Sequence, residues 1–169
     1  MTYKGIPVLG FVGFSGSGKT TILTQVIERL QQKGLHIAVI KHTHHHFDID
    51  KPGKDSFRFR TSGAKQVIVG SKKRFALMVE LEQDEPDLTF LMSKLNLDGL
   101  DLILFEGFKH EKYPKIEVHR KGHSKEWLFP DDANIIALAT DDTNPKSLPM
   151  LPLGNLDKIS EFVYSYSFA

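Results

Sequence analysis

Hydrophobic residues follow two different periods in the first 34 positions of the chain. Residues 6–12 form a nearly continuous apolar run, which is typical of a strand buried on both faces of a parallel sheet. Farther along, apolar side chains recur at helical spacing before Gly34, which resembles a C-cap; they are Ile22, Leu23, Val26, Ile27 and Leu30. The pattern therefore predicts a buried strand, a short connection and an amphipathic helix.

Strand-like and helix-like segments continue to alternate through the rest of the chain. Apolar runs predict strands at 36–41, 100–105 and 135–139, and helical spacing predicts helices at 55–62, 87–95 and 156–168. Segments 66–69 and 75–81 flank a Gly-Ser-Lys-Lys turn and predict a hairpin, whereas the proline-rich stretch 145–152 is interpreted as a connector. This order predicts one α/β domain with a mainly parallel sheet, helices on both faces and a small hairpin insertion.

The connection between the first strand and the first helix, residues 13–20, has the sequence GFSGSGKT. It matches the pattern G-x-x-x-x-G-K-[ST], in which glycines let backbone N–H groups approach phosphate oxygens. Lys19 would supply positive charge to the β- and γ-phosphates, and the Thr20 hydroxyl would coordinate Mg²⁺. The segment predicts a P-loop NTPase fold with a nucleoside triphosphate site; its candidate residues are Gly13, Ser15, Gly16, Ser17, Gly18, Lys19, Thr20 and Thr21.

A second part of this site is predicted at the end of the strand at 100–105. Glu106 follows that strand at the edge of the sheet where ligands bind in open α/β folds. Its carboxylate would hold Mg²⁺, directly or through water, or polarise the attacking water. The alternative interpretation is a carboxylate that only caps a turn. Beside the P-loop we favour the functional role, with Lys19 and Glu106 as the catalytic pair.

The polar segment 41–56 reads KHTHHHFDIDKPGKDS and contains four histidines within five positions. Imidazole is a common ligand of transition metals, but adjacent side chains point in different directions and rarely form a closed site. A solvated loop that responds to ligand is therefore favoured over metal storage. Asp50 is the candidate in this loop for a contact with Mg²⁺. Arg58 and Arg60 would stabilise the transferring phosphate or simply be solvated.

Composition adds limits to these predictions. The net charge is +1, which gives no basic excess of the kind expected for a nucleic acid or membrane partner. The sequence has no cysteine, which excludes disulfides and thiolate metal sites, and no apolar run approaches the roughly 20 residues of a membrane span. We expect a cytoplasmic protein.

Taken together, four segments resemble the MobB family of molybdopterin-guanine dinucleotide biosynthesis adapter proteins: GFSGSGKTT, KHTHHHFDIDKPGKDSFRFRTSGA, LILFEGFK and ALATD. The resemblance implies a homodimeric GTP-binding protein with Mg²⁺ and weak GTPase activity. It also implies two partners, molybdopterin and the guanylyltransferase that joins GMP to it. By position, Asp50 and Glu106 would lie at the metal. Asp141, in the ALATD segment, would accept hydrogen bonds from guanine.

Two features of the sequence depart from related GTPases. The base-recognition pattern [NT]-K-x-D is absent, and Phe14 stands where some dimeric relatives carry a second P-loop lysine. Both a metal-handling GTPase that uses the histidines and a small-molecule kinase remain alternatives to the adapter. Beyond Glu106, we expect Lys109, His110 and Lys115 to contact an anionic pterin phosphate.

Overall fold

A computed structural model of the protein describes residues 1–43, 47–82, 85–123, 126–143 and 148–168. The chain divides into two compact units. The first consists of Met1–His42 together with Leu88–Ala169, and the second is Thr43–Asp87. Among the helices of the described residues, none has the length and apolar character needed to cross a membrane.

The first unit is built on a sheet of seven strands. Six of them are parallel and lie in the order β3-β6-β2-β7-β8-β9, while β1 pairs antiparallel with β2. The strands are β1 Thr2–Tyr3, β2 Ile6–Val12, β3 Ile37–Lys41, β6 Leu102–Glu106, β7 Lys115–His119, β8 Ile135–Thr140 and β9 Met150–Pro152. Its helices are α1 Lys19–Gln32, α3 Leu88–Met92 and α4 Leu156–Phe168.

Both faces of this sheet are covered, as the run of apolar residues in the central strands requires. Leu102 and Leu104 of β6 share one core cluster with side chains of α1 and α4. Ile103 and Phe105, which point to the opposite face, belong to a second cluster with Leu88 and Met92 of α3. Because all five residues of β6 are buried, the strand needs no polar face, and the sequence pattern that predicted it has this physical origin.

Strand register brings the carboxyl ends of the central strands together. Glu106, the last residue of β6, is paired with Phe11 of β2 on one side and Lys41 of β3 on the other. At the opposite side of β2, β7 is paired with β8 so that His119 lies beside Thr140. The segments that follow β2, β3, β6, β7 and β8 therefore emerge at one edge of the sheet.

The second unit contains α2 Asp55–Thr61 and the strands β4 Gln66–Gly70 and β5 Phe75–Val79. The two strands form the antiparallel hairpin that the sequence predicts, with Ile68 opposite Leu77 and Gly70 opposite Phe75. Ile68, Phe75, Leu77 and Val79 fall on one face of the hairpin and are all exposed.

The mainly parallel α/β fold with helices on both faces is confirmed, and most of the predicted elements are found. The helix at 156–168 matches α4, and the short helix at 55–62 matches α2 within one residue. Helix α3 is shorter than the predicted 87–95. The strands β1, β7 and β9 were missed, so the interpretation of 145–152 as a connector is wrong at Met150–Pro152. Residues 144–147 lie outside the described part of the chain.

Candidate nucleotide site

The P-loop, defined here as residues 13–20, connects β2 to α1 through backbone that only glycine adopts readily. Gly13, Gly16 and Gly18 have φ angles of 143°, 78° and 95°. A Cβ on Gly13 would lie 2.3 Å from the carbonyl oxygen of Val118, so a side chain there would collide with β7. Gly18 is also the N-cap of α1 and has no side chain to bond the first helical amides. The glycines of the motif are therefore required by local geometry.

This loop has hydrogen-bonding groups to offer to an anion. Within the described residues, the amides of Ser15, Gly16 and Gly18 donate no backbone or side-chain hydrogen bond, whereas the Ser17 amide donates to the Phe14 carbonyl at 3.2 Å. The Ser17 side chain is 2% exposed, and its Oγ has no hydrogen-bond partner among the described residues. Unpaired amides at a helix N-terminus fit a phosphate group, whereas the contact of the enclosed Ser17 hydroxyl with phosphate stays a prediction.

Lys19 lies over the same loop. Its ammonium donates hydrogen bonds to the carbonyl oxygens of Gly13 at 2.9 Å and Phe14 at 2.8 Å. Burial lowers the pKa of Lys19, Glu106 partly offsets this effect, and Lys41 adds to it. The side chain predicted to bind phosphate is thus held at the loop by neutral acceptors, which a charged phosphate oxygen would outcompete.

Thr20 and Glu106 are brought together, as the sequence predicts. The Thr20 hydroxyl donates to Glu106 Oε1 at 2.7 Å, and Glu106 is 8% exposed at the end of β6. The two oxygens that would ligate Mg²⁺ are therefore adjacent, and a hydroxyl beside a carboxylate suits this hard cation. Lys41 Nζ stands 3.3 Å from the same carboxylate oxygen. The sequence analysis did not include Lys41 among the site residues, although its position at the end of the neighbouring strand β3 could have indicated it.

Asp141 lies at the same edge, directly after β8. Its Oδ1 accepts a hydrogen bond from the backbone amide of Lys121 at 2.6 Å. Its Oδ2 has no partner among the described residues, and the side chain is exposed. The role of Asp141 in base recognition stays a prediction.

Asp50 belongs to the second unit, where it forms an ion pair with Arg60. Arg60 Nη2 lies 2.9 Å from Asp50 Oδ1 and 2.8 Å from Asp48 Oδ1, and its Nη1 lies 3.3 Å from Glu80 Oε1. The Asp50 side chain is only 5% exposed. Arg60 thus forms ion pairs with three carboxylates. Arg58 Nη1 lies 3.8 Å from Asp55 Oδ1. The proposed contacts of Asp50 with metal and of the two arginines with phosphate stay predictions.

The histidine cluster is described only at its first member. His42 packs against Phe108 with ring centroids 4.8 Å apart, and residues 44–46 lie outside the described part of the chain. In the ranges that the structure covers, no three or more His, Asp or Glu residues gather in an arrangement that could hold a metal ion.

Lys115 contradicts one of the expectations from the sequence. Its side chain is 1% exposed, donates to Asp132 Oδ2 at 2.6 Å and to the Lys109 carbonyl at 2.8 Å, and is buried in β7. A lysine enclosed in this way is committed to the fold, so the expected contact with a pterin phosphate is wrong for Lys115.

Comparison with known proteins supports one assignment. The family model of molybdopterin guanine dinucleotide synthesis protein B, MobB, matches residues 8–141. The chain is 44% identical over 164 residues to the molybdopterin-guanine dinucleotide biosynthesis adapter protein of Escherichia coli K12, covering 95% of this chain and 93% of the relative. It is 37% identical to the adapter protein of the same description from Haemophilus influenzae, covering 95% and 89%.

Among solved structures, the crystal structure of molybdopterin-guanine biosynthesis protein B is similar with a TM-score of 0.76. The sequences are 27% identical, and the similarity covers 96% of this chain and 99% of that one. Sequence and fold agree along nearly the full length. The chain belongs to the MobB family of molybdopterin guanine dinucleotide synthesis proteins.

Proposed function

We propose that this chain is a cytoplasmic GTP-binding adapter with Mg²⁺ and weak GTPase activity. In molybdopterin guanine dinucleotide biosynthesis it would assist the guanylyltransferase that joins GMP to molybdopterin. The observation that carries the proposal is the P-loop itself, which combines amides that have no partner among the described residues with the Lys19 ammonium and with Thr20, whose hydroxyl bonds to Glu106.

Each side chain has a role that follows from its chemistry. The P-loop amides donate to phosphate oxygens, and Lys19 exchanges its two carbonyl acceptors for charged ones. Thr20 and Glu106 hold Mg²⁺, which supplies positive charge that neutralises the phosphates when bound. The Lys41 ammonium, 3.3 Å from Glu106 Oε1, balances the negative charge of that carboxylate.

Slow turnover fits the residues at this edge of the sheet. Phosphoryl transfer is accelerated mainly by positioning the water and neutralising charge in the transition state. The sequence has no Gln directly after Glu106 and Gly107 to orient a water. Position 14 of the P-loop is Phe, where some dimeric relatives have a second lysine. A protein that binds GTP tightly but hydrolyses it slowly is suited to act through its bound state.

Specificity for guanine is assigned to Asp141. Its Oδ2, which has no partner in the described part of the chain, can accept hydrogen bonds from guanine N1 and N2, whereas adenine would present an acceptor at N1. Replacing Asp141 with Asn keeps an oxygen for the Lys121 amide but puts donors beside the base. We expect Asp141→Asn to reduce the preference for GTP, lowering the ratio of the ATP dissociation constant to the GTP dissociation constant by about tenfold.

Isothermal titration with GTP and ATP, each with Mg²⁺, tests nucleotide binding. Lys19→Ala should weaken GTP at least about a hundredfold, because it removes a charged hydrogen bond donor from the phosphates. Lys158→Ala is the matched control, since it removes one exposed positive charge from α4 of the same unit. Absence of GTP binding by the unaltered chain, or equal affinity in Lys19→Ala, would contradict the proposal.

The adapter role is tested in a reconstituted reaction. The yield of molybdopterin guanine dinucleotide from guanylyltransferase, GTP and molybdopterin should rise when the unaltered chain is added but not when Lys19→Ala is added. Rapid phosphorylation of a small acceptor would favour a kinase instead. Sedimentation of the chain alone tests the proposed homodimer, which a monomer at micromolar concentration would exclude.

A further inference from the structure

A short basic turn, residues 120–123, packs against the P-loop from the neighbouring strand. It follows β7 and is closed by a hydrogen bond from the His123 amide to the Arg120 carbonyl at 3.1 Å, with Gly122 at a φ of 79°. Neither the P-loop motif nor the base-recognition segment includes these residues. All four are exposed, and three of them carry basic side chains.

His123 contacts the middle of the P-loop. Its Nε2 lies 2.6 Å from the Ser15 carbonyl oxygen, and because a carbonyl only accepts, Nε2 carries the proton. The imidazole also fills the space above Gly16, where a Cβ would come within 2.7 Å of the ring. The ring therefore bonds to the loop and occupies the space that a side chain at position 16 would need.

Arg120 reaches the start of α1. A Cβ built on Gly18 would lie 3.4 Å from Arg120 Nη2, so the guanidinium stands beside the N-cap of the helix. No carboxylate within the described residues forms an ion pair with Arg120. A guanidinium that is left without an acidic partner, next to unpaired amides, offers its donors to the same anion.

The other side of the turn is anchored to the base-recognition candidate. The Lys121 amide donates to Asp141 Oδ1 at 2.6 Å, so backbone in this turn is fixed from β8 while His123 fixes it from the P-loop. Two attachments on separate elements therefore fix the backbone that directly follows Arg120. This placement is difficult to explain as an accident of surface side chains, which are normally free to move.

We propose that Arg120 is a phosphate-binding residue of the nucleotide site and that His123 is a positioning residue that holds the P-loop and the turn together. The inference rests on the proposed GTP binding and deepens it, because it adds a cationic group supplied by this chain from outside the P-loop motif. The ligand that Arg120 recognises is the polyphosphate and not the base.

Two probes separate these parts of the ligand. Arg120→Ala should weaken Mg²⁺–GTP and inorganic tripolyphosphate with Mg²⁺ by the same factor, about tenfold or more, because a charged hydrogen bond to phosphate is lost in both. Arg120→Lys should recover part of the loss, since the charge remains but the planar fork does not. Lys121→Ala is the control; it removes a charge from the same turn and keeps the amide that bonds to Asp141.

The positioning role of His123 has its own readout. His123→Ala should weaken GTP several-fold, whereas His123→Gln, which can place an amide N–H near the Ser15 carbonyl, should restore most of the affinity. Thermal unfolding of the nucleotide-free variants should change little, because the side chain is exposed. Equal affinity of His123→Ala and the unaltered chain would overturn this role.

The outcomes distinguish the two proposals. If the unaltered chain binds GTP and Arg120→Ala binds GTP and tripolyphosphate equally well, the inference about Arg120 is wrong and the proposed function stands. If Arg120→Ala and Lys121→Ala lose affinity equally, the effect is general charge and the inference is again wrong. If the unaltered chain binds neither probe, both proposals are overturned.

Discussion

Two carboxylates, Glu106 and Glu117, are buried on the strands that flank β2, and their partners differ in kind. Glu106 ends β6 and is 8% exposed, while Glu117 lies in the middle of β7 and is 0% exposed. The partners of Glu106 are side chains, the Thr20 hydroxyl and the Lys41 ammonium. Those of Glu117 are the backbone amides of Leu128 and Phe129, each at 2.9 Å.

This difference separates a carboxylate committed to the fold from one that is available to a ligand. Backbone amides are fixed by the fold, so Glu117 holds the segment at 128–129 and has no freedom to exchange partners. The hydroxyl and ammonium at Glu106 belong to rotatable side chains that a cation can displace. A buried acid is therefore a candidate for chemistry when its partners can leave, and burial alone is not sufficient.

The largest loss of stability is expected when Lys115, another buried charged residue of β7, loses its ion-pair partner Asp132. Asp132→Asn should lower the free energy of unfolding by about 3–5 kcal/mol, because Lys115, 1% exposed, would be left without a compensating charge. Asp157→Asn is the matched control; Asp157 pairs with Arg29 at 2.6 Å but is 79% exposed, so its loss should cost less than about 1 kcal/mol. Urea denaturation measures both. Equal small losses would show that β7 does not depend on internal charge compensation.

The next largest effect is expected at Glu106. Glu106→Gln keeps the shape of the side chain but weakens its hold on Mg²⁺, so GTP hydrolysis should fall by about a hundredfold, more than GTP affinity. The free energy of unfolding should change by less than about 1 kcal/mol. Single-turnover hydrolysis with Mg²⁺ and urea denaturation provide the two readouts. Unchanged turnover would remove Glu106 from the site and end the contrast with Glu117.

Glu117→Gln should show the opposite pattern. It leaves one of two buried amides without an acceptor, which costs about 1–3 kcal/mol of unfolding free energy, while GTP affinity stays within about twofold. A large loss of affinity without loss of stability would reverse the assignment of the two carboxylates.

The pH dependence of the stability difference between the unaltered chain and Glu117→Gln gives a second test. Burial raises the pKa of Glu117, although the two amides and His119 oppose this effect. A raised pKa means that the folded state holds the proton longer than the unfolded state, whose value is about 4.3. The stability of the unaltered chain relative to Glu117→Gln should therefore be greatest below about pH 4.3 and fall as pH rises through the folded pKa. Urea denaturation across this range measures the difference.

Local pattern was sufficient for much of the fold and part of the site. Consecutive residues were enough to predict the P-loop motif, the apolar strands β2, β6 and β8, and the periodic helices α1 and α4. The strand β7 was missed because its sequence, Lys115-Ile116-Glu117-Val118-His119, looks half-exposed although all five residues are buried. The compensating groups, Asp132 and the amides at 128–129, lie 11 to 17 residues away and give no local signal.

Sequence by itself determined the P-loop motif, the identity of the strand-end acid Glu106 and the family, because these depend on residues in fixed order. Only the tertiary structure decided that Thr20 meets Glu106, that Lys41 stands beside them and that Arg120 and His123 lie against the P-loop. The physical reason is the parallel sheet. Its register brings the ends of distant strands together at one edge, and contacts between residues 86 and 108 positions apart leave no periodic pattern in the sequence.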